Sequence, residues 1–117
     1  MGNNSSYVSV ANAYSKNIYV QVLGIPADLP DGADAGAHKN GFTKIAPGTF
    51  LTFRPKTESG KVYISVITED NKWVCKNLEG DKEEGLIISP EGEAFTAQPG
   101  NVWVDTAGKR HQSSTVW

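Results

Sequence analysis

Three aspartates spaced three residues apart are the first group in this chain that could do chemistry. Asp28, Asp31 and Asp34 lie within residues 24–40, a long segment rich in Gly, Ala and Pro. Calcium binds carboxylate and carbonyl oxygens that flexible loops supply. The spacing differs from the alternating pattern of an EF-hand, and no glutamate closes the loop. Two interpretations therefore stay open: the aspartates bind calcium, or they keep the loop solvated.

A second acidic segment, residues 77–84, could contribute to the same surface. It contains Glu79, Asp81, Glu83 and Glu84. With residues 24–40 it predicts an alternative function, lectin-like or calcium-dependent ligand binding through two loops. The simpler interpretation is that the charges keep these loops in water and stop strand edges from pairing with other chains. Calcium is the one cofactor that the sequence suggests.

The tryptophans are candidates for recognition, because large amphipathic rings are enriched at interfaces. Trp103 lies between Val102 and Val104. If the valines are buried, Trp103 and Asp105 face solvent on the same side and offer a platform for a sugar or a partner side chain. The opposite arrangement, with Trp103 in the core, agrees with how often tryptophan is buried. The candidate binding residues are Trp103, Asp105, Trp73 and Trp117.

A catalytic centre is not expected. The single cysteine, Cys75, would need a base from His38 or His111 to act as a nucleophile. It lies in an expected strand, where a cysteine usually serves as a small packing residue. The chain has neither the Gly-x-Ser-x-Gly motif nor the glycine-rich nucleotide-binding motif. One cysteine also makes neither an internal disulfide nor a thiolate zinc site.

The amino terminus contains a short lipidation pattern. Gly2 begins a stretch that fits the Met-Gly-x-x-x-Ser motif for N-myristoylation. One acyl chain binds a membrane only weakly. Peripheral membrane association is therefore an alternative function. The simpler interpretation is that residues 1–6 form a flexible polar leader. No apolar signal segment follows, which predicts a cytoplasmic protein or one exported by a non-classical route.

Charge and hydropathy exclude two classes of partner. The chain has 117 residues with 11 basic and 13 acidic side chains, a formal net charge of −2. This balance lacks the basic surface of a nucleic-acid-binding protein, so we expect no nucleic acid. No apolar run approaches the ~20 residues that cross a bilayer, so we expect no integral membrane segment. The hydrophobic fraction of 38% is sufficient for one folded domain.

Alternation of apolar and polar residues dominates the chain and predicts half-buried strands. In Lys61–Thr68, for example, Val62, Ile64 and Val66 share one face. Ala46-Pro47-Gly48 is typical of a type II turn. The expected strands are Tyr7–Ala11, Asn17–Leu23, Phe42–Ile45, Thr49–Arg54, Lys61–Thr68, Lys72–Lys76, Gly85–Ser89, Glu93–Ala97 and Asn101–Thr106.

These elements predict an all-β fold. We expect an antiparallel β-sandwich, Ig-like or jelly-roll-like, of about seven to nine short strands, with a barrel as the alternative. The domain covers residues 7–108, and residues 109–117 form a polar tail. Open strand edges and a tail that ends in Trp117 favour a non-catalytic module for protein–protein interaction or self-assembly, with another protein or a second copy as its partner.

Overall fold

Ten strands and two short helical turns make up the described part of the protein. The computed structural model describes residues 7–81, 85–97 and 102–112. The strands are β1 Val8–Asn12, β2 Ile18–Leu23, β3 Thr43–Ile45, β4 Phe50–Phe53, β5 Lys61–Thr68, β6 Trp73–Asp81, β7 Gly85–Ile88, β8 Ala94–Ala97, β9 Val102–Val104 and β10 Arg110–Gln112. Helix α1, Ala35–His38, continues into a 3₁₀ turn, Lys39–Gly41. The all-β prediction is confirmed.

Two four-stranded sheets form a sandwich. Sheet A has the strand order β4-β1-β7-β8, and sheet B has the order β3-β2-β5-β6. Strands β9 and β10 form a separate hairpin. The pairs are antiparallel except β1 with β7, which run parallel. The predicted sandwich is therefore confirmed, with one parallel pair in sheet A.

The main core lies between the two sheets. Strand alternation sends Val62, Ile64 and Val66 of β5 inward, and all three are buried. The buried residues of this core are Val8, Val10, Ile18, Val20, Ile45, Val62, Ile64, Val66, Leu86 and Ile88. Full burial of one such side chain contributes about 1.5–3 kcal/mol. This core holds the two sheets in fixed positions relative to each other.

The outer faces of both sheets are also partly buried. Ile67 of sheet B and Ile87 of sheet A alternate with core residues, yet neither is exposed. A two-layer sandwich in water would leave such residues on its surface. Here residues 24–41, which we call the covering segment, lie over sheet B, and the β9–β10 hairpin lies over sheet A. The two covers explain why several strands carry apolar residues on both faces.

Two stretches differ from the sequence-based expectation. Residues 77–81, expected to begin an acidic loop, belong to β6, which continues past two register shifts against β5. Residues 110–112, expected in the polar tail, form β10 and pair with β9. Their side chains show no apolar alternation, and it is backbone pairing with β9 that makes them a strand. The expected leader, residues 1–6, and residues 113–117 lie outside the described residues.

Candidate functional site

Asn77 ties the covering segment to sheet B. It occupies a bulge of β6 with a left-handed backbone, φ 51°, a conformation that asparagine tolerates better than most residues. Its side-chain amide accepts a hydrogen bond from the Ala27 N–H at 2.8 Å and donates one to the Ala27 carbonyl at 2.9 Å. Its own N–H donates to Ser65 Oγ at 3.0 Å. The amide thus acts as a strand partner for the covering segment.

Trp73 provides the second attachment. Its indole Nε1–H donates to the Ala33 carbonyl at 2.8 Å. The ring packs against His38, with centroids 5.9 Å apart, and edge-on against Phe42 at 6.2 Å. The Lys76 ammonium lies 5.6 Å from the ring centroid. Trp73, a candidate binding residue, is therefore half-buried beneath the covering segment and shapes the surface around it.

The helical end of the covering segment is fixed as well. Asp34 caps α1, since its Oδ1 accepts a hydrogen bond from the Gly36 N–H at 3.1 Å. The Lys39 ammonium donates to the Glu69 carbonyl at 3.0 Å and lies 4.8 Å from the Tyr19 ring centroid. The segment therefore touches sheet B at its start, middle and end.

An open groove of about 550 Å³ lies between residues 25–29 of this segment and residues at and just beyond its end, Ala37, His38, Gly41 and Phe42. Its floor includes Gln21 and Leu23 from the end of β2. Its lining combines polar and apolar surface in nearly equal amounts, and the polar side chains are Gln21, Asp28 and His38. Binding pockets for small ligands usually measure about 300–1,000 Å³ and combine an apolar lining with a few polar groups. The volume of the groove falls in this range, but the groove is shallower and more polar than a typical small-molecule pocket.

The groove adjoins an open edge of β2. Strand β3 pairs with β2 only from Ile18 to Val20, whereas β5 pairs with it as far as Leu23. The chain leaves the ladder at Phe42, whose N–H donates to the Lys39 carbonyl at 3.0 Å. Within the described residues, 21–23 of β2 therefore have a strand neighbour on one side only.

Two other depressions are less suitable. A slot of about 70 Å³ between the sheets, next to Leu78 and Leu86, is too small for most ligands. A wider depression of about 710 Å³ lies beside Lys56 and Glu58, where the covering segment leaves β2. At this point a side chain on Gly24 would overlap the Lys56 carbonyl. Neither depression brings an aromatic ring and a strand edge together as the groove does.

The calcium hypothesis required three aspartates in one place, and the structure does not bring them together. Asp28 lines the groove, Asp31 is exposed in a turn, and Asp34 caps α1. In the part of the chain that the structure describes, no three His, Cys, Asp or Glu side chains are arranged to hold a metal ion. Residues 77–81 of the second expected loop belong instead to β6, and residues 82–84 lie outside the described residues.

Of the two arrangements considered for Trp103, an exposed platform and a place in the core, the structure shows the second. Trp103 is only 5% exposed, and Val104 beside it is 53% exposed. The indole packs against Ala11, Ile87 and Ala97 on the outer face of sheet A. Two of these residues are alanines, whose small side chains leave space for the ring. The core alternative therefore holds for Trp103.

Asp105 stabilises the β9–β10 hairpin through hydrogen bonds. One carboxylate oxygen accepts hydrogen bonds from the N–H groups of Ala107 and Lys109, both at 2.9 Å, and the other lies 2.7 Å from His111 Nε2. The His111 ring stacks on Trp103 with centroids 5.1 Å apart. The hydrogen bond from His111, followed by that from the Lys109 N–H, lowers the pKa of Asp105. The two remaining candidates, Trp117 and Gly2, lie outside the described residues.

Cys75 faces the space between the sheets. It is opposite Val66, and its thiol donates a long hydrogen bond to the Ile64 carbonyl at 3.6 Å. Burial raises the pKa of the Cys75 thiol to about 12. The thiolate that a nucleophile requires is therefore strongly disfavoured at neutral pH. The ring contacts of His38 and His111 are with Trp73 and Trp103.

Sequence reasoning missed Asn77, His38 and Phe42 as parts of one site. The available signal was in β5, where Ile67 is apolar on the face opposite Val66, which indicates a covered outer face.

Neither described helix is long and apolar enough to cross a membrane. The chain matches no protein-family model, no curated protein and no solved structure.

Proposed function

We propose that this protein is a non-catalytic binding module that takes a segment of a partner protein into the groove of the covering segment. The observation that carries the proposal is a groove with fixed walls beside an open strand edge. The Asn77–Ala27 and Trp73–Ala33 hydrogen bonds hold the walls before any partner arrives. A preformed site lowers the entropy lost on binding.

The groove lining suits a polypeptide. Leu23, Leu29 and Phe42 provide apolar contacts, while Gln21 and His38 provide hydrogen-bonding groups. A peptide in extended conformation presents both kinds of group, with side chains on alternate faces and a polar backbone between them. The calcium-dependent alternative has less support, because the three aspartates do not form one site.

Selection of displayed random peptides against the full-length protein tests the proposal. The affinity of each enriched peptide is then measured by fluorescence anisotropy with the unchanged protein and two variants. Ala37→Trp fills the groove from an exposed position on α1, so its folding should be preserved. Val104→Ser changes an exposed residue of the β9–β10 hairpin and serves as the matched control.

We expect Ala37→Trp to weaken binding by at least about tenfold and Val104→Ser to leave it unchanged. Thermal unfolding of both variants verifies that they fold. Peptides that bind Ala37→Trp as tightly as the unchanged protein would contradict the proposal. A failure to enrich any groove-dependent peptide would contradict it as well.

A second candidate is self-assembly through β4. Among the described strands β4 pairs only with β1, and Leu51 on it is 39% exposed. Two copies could join their β4 edges antiparallel about a twofold axis. Light scattering over a range of protein concentrations tests this, with Leu51→Lys as the blocking variant. A monomer at every concentration would exclude self-assembly.

A further inference from the structure

We infer that the partner segment is extended and basic: it adds as a short strand to β2 at Val22 and places a Lys or Arg side chain near Asp28. This inference rests on the proposed function and specifies the chemistry of the partner. It follows from the direction of the β2 backbone groups, from the open space beside them and from the charge of the groove.

The hydrogen-bonding pattern shows which backbone groups of β2 are available. Residues of an antiparallel strand point their N–H and C=O alternately to the two neighbouring strands. The Asn17 carbonyl accepts a hydrogen bond from the Glu69 N–H at 3.1 Å, so the backbone N–H and C=O of Asn17 point toward the β5 side. With the observed register, alternate residues 19, 21 and 23 do the same. The N–H and C=O of Val22 therefore point to the other side, where β3 lies.

Strand β3 ends before it reaches Val22. It pairs with β2 only as far as Val20, opposite Thr43. If the pairing continued, Gly41 would lie opposite Val22, but Gly41 belongs to the 3₁₀ turn. A Cβ atom built on Gly41 would meet no atom within 4 Å, so the space in its side-chain direction is open. An extended segment placed there would pair with Val22, as in strand addition to a sheet edge.

The charge around the groove favours a basic partner. Residues 24–37 contain Asp28, Asp31 and Asp34 and no Lys or Arg. Asp28 lines the groove itself. The ammonium of Lys39 is directed to Glu69 and Tyr19 on the sheet. Complementary charge contributes mainly to specificity and to the rate of association, so it selects among extended segments.

Apolar contacts would hold the rest of the segment. Leu29 and Phe42 lie in the groove, and Ile25 at its edge is 72% exposed. Side chains at every second position of a strand point to the same face. A segment with a basic and an apolar residue two positions apart would therefore place both side chains on the groove side, the apolar one against Leu29 and Phe42 and the cation near Asp28.

Three short synthetic peptides test this inference with the full-length protein. The first has Lys, Leu and Val at every second position with Thr between them, the second has Glu in place of each Lys, and the third repeats the first with N-methylated central amides that cannot donate hydrogen bonds. Affinities are measured by fluorescence anisotropy with the unchanged protein, Asp28→Asn and Glu91→Gln. Glu91→Gln removes the same charge from an exposed turn between β7 and β8 and is the matched control.

We expect the Lys peptide to bind at least about tenfold more tightly than the Glu peptide, and Asp28→Asn to reduce this preference severalfold. Glu91→Gln should leave the preference unchanged, and N-methylation should abolish binding. If Ala37→Trp blocks both charged peptides but their affinities are equal, or if the N-methylated peptide binds normally, the inference is wrong and the proposed function stands. If no peptide, selected or designed, binds in a way that Ala37→Trp blocks, both are wrong.

Discussion

The side-chain amide of Asn77 pairs with the backbone of Ala27 through two hydrogen bonds, 2.8 and 2.9 Å long. A backbone pair of this kind normally belongs to two adjacent strands. Here a bulge in β6 turns the Asn77 side chain toward the covering segment, and the amide takes the place of a strand. The wall of the groove at residues 25–29 depends on this pair.

Asn77→Ala should destabilise the protein by about 2–3 kcal/mol, because it removes both hydrogen bonds and places alanine in a left-handed conformation. Asn77→Gly removes the same hydrogen bonds without the backbone strain, so it separates the two causes and should cost less. Urea unfolding measures the free energy of unfolding of both variants. An Asn77→Ala change of less than about 0.5 kcal/mol would show that the amide does not hold the segment.

Trp103→Ala should destabilise the fold by about 3–5 kcal/mol, the usual range for a buried large aromatic side chain. Val104→Ala, one residue later on the same strand, should change stability by no more than about 0.5 kcal/mol because Val104 is exposed. Equilibrium unfolding in urea distinguishes the two. Equal effects would contradict a covering role for Trp103.

The orientation of Trp103 also shows what the sequence could not settle. Alternation assigned Trp103 and its neighbouring valines to opposite faces, but it does not tell which face is buried when a third layer covers the sheet. The same alternation located β5 at Lys61–Thr68, as observed. The Pro47-Gly48 pair predicted the turn at Ala46-Pro47-Gly48, where Gly48 has φ 74° and the Thr49 N–H donates to the Ala46 carbonyl.

The candidate site was harder to predict than the strands. Residues 24–40 were identified as an unusual segment from composition, but their contacts come from Asn77 and Trp73, some 40 to 50 residues away in the chain. Strand β10 lacks apolar alternation, and the bulges of β6 leave no pattern that alternation can detect. These features depend on tertiary pairing, which a single sequence does not encode locally.

Acid should weaken the β9–β10 hairpin. The folded-state pKa of Asp105 is lowered, mainly by the hydrogen bond from His111. An acid whose pKa is lowered on folding contributes stability above its unfolded pKa, about 3.9 for aspartate, and loses it as pH falls through the folded value. Thermal unfolding between pH 2 and 7 should show this loss, at about pH 4 and below. In Asp105→Asn this loss of stability in acid should be smaller. A pH profile identical to that of the unchanged protein would contradict the role assigned to Asp105.

The Cys75 thiol should be almost unreactive in the folded protein. Its pKa is raised by burial to about 12, so little thiolate exists near neutral pH. A thiol-specific disulfide reagent at about pH 8 should therefore react no faster than the protein opens, and rapidly in urea. Because the unfolded thiol ionises more readily, stability should also fall as pH rises above about 8.5. Fast labelling of the folded protein would contradict this.

The most direct test of the account is an amide NMR titration of the full-length protein with the Lys-containing peptide. We predict saturable shifts at residues 21–23, 25–29 and 37–42, with the Val22 amide among the most affected, and no such shifts in Ala37→Trp. Saturable shifts centred on β4 or on the β9–β10 hairpin, or none at any peptide concentration, would contradict the claim that the groove beside β2 is the binding site.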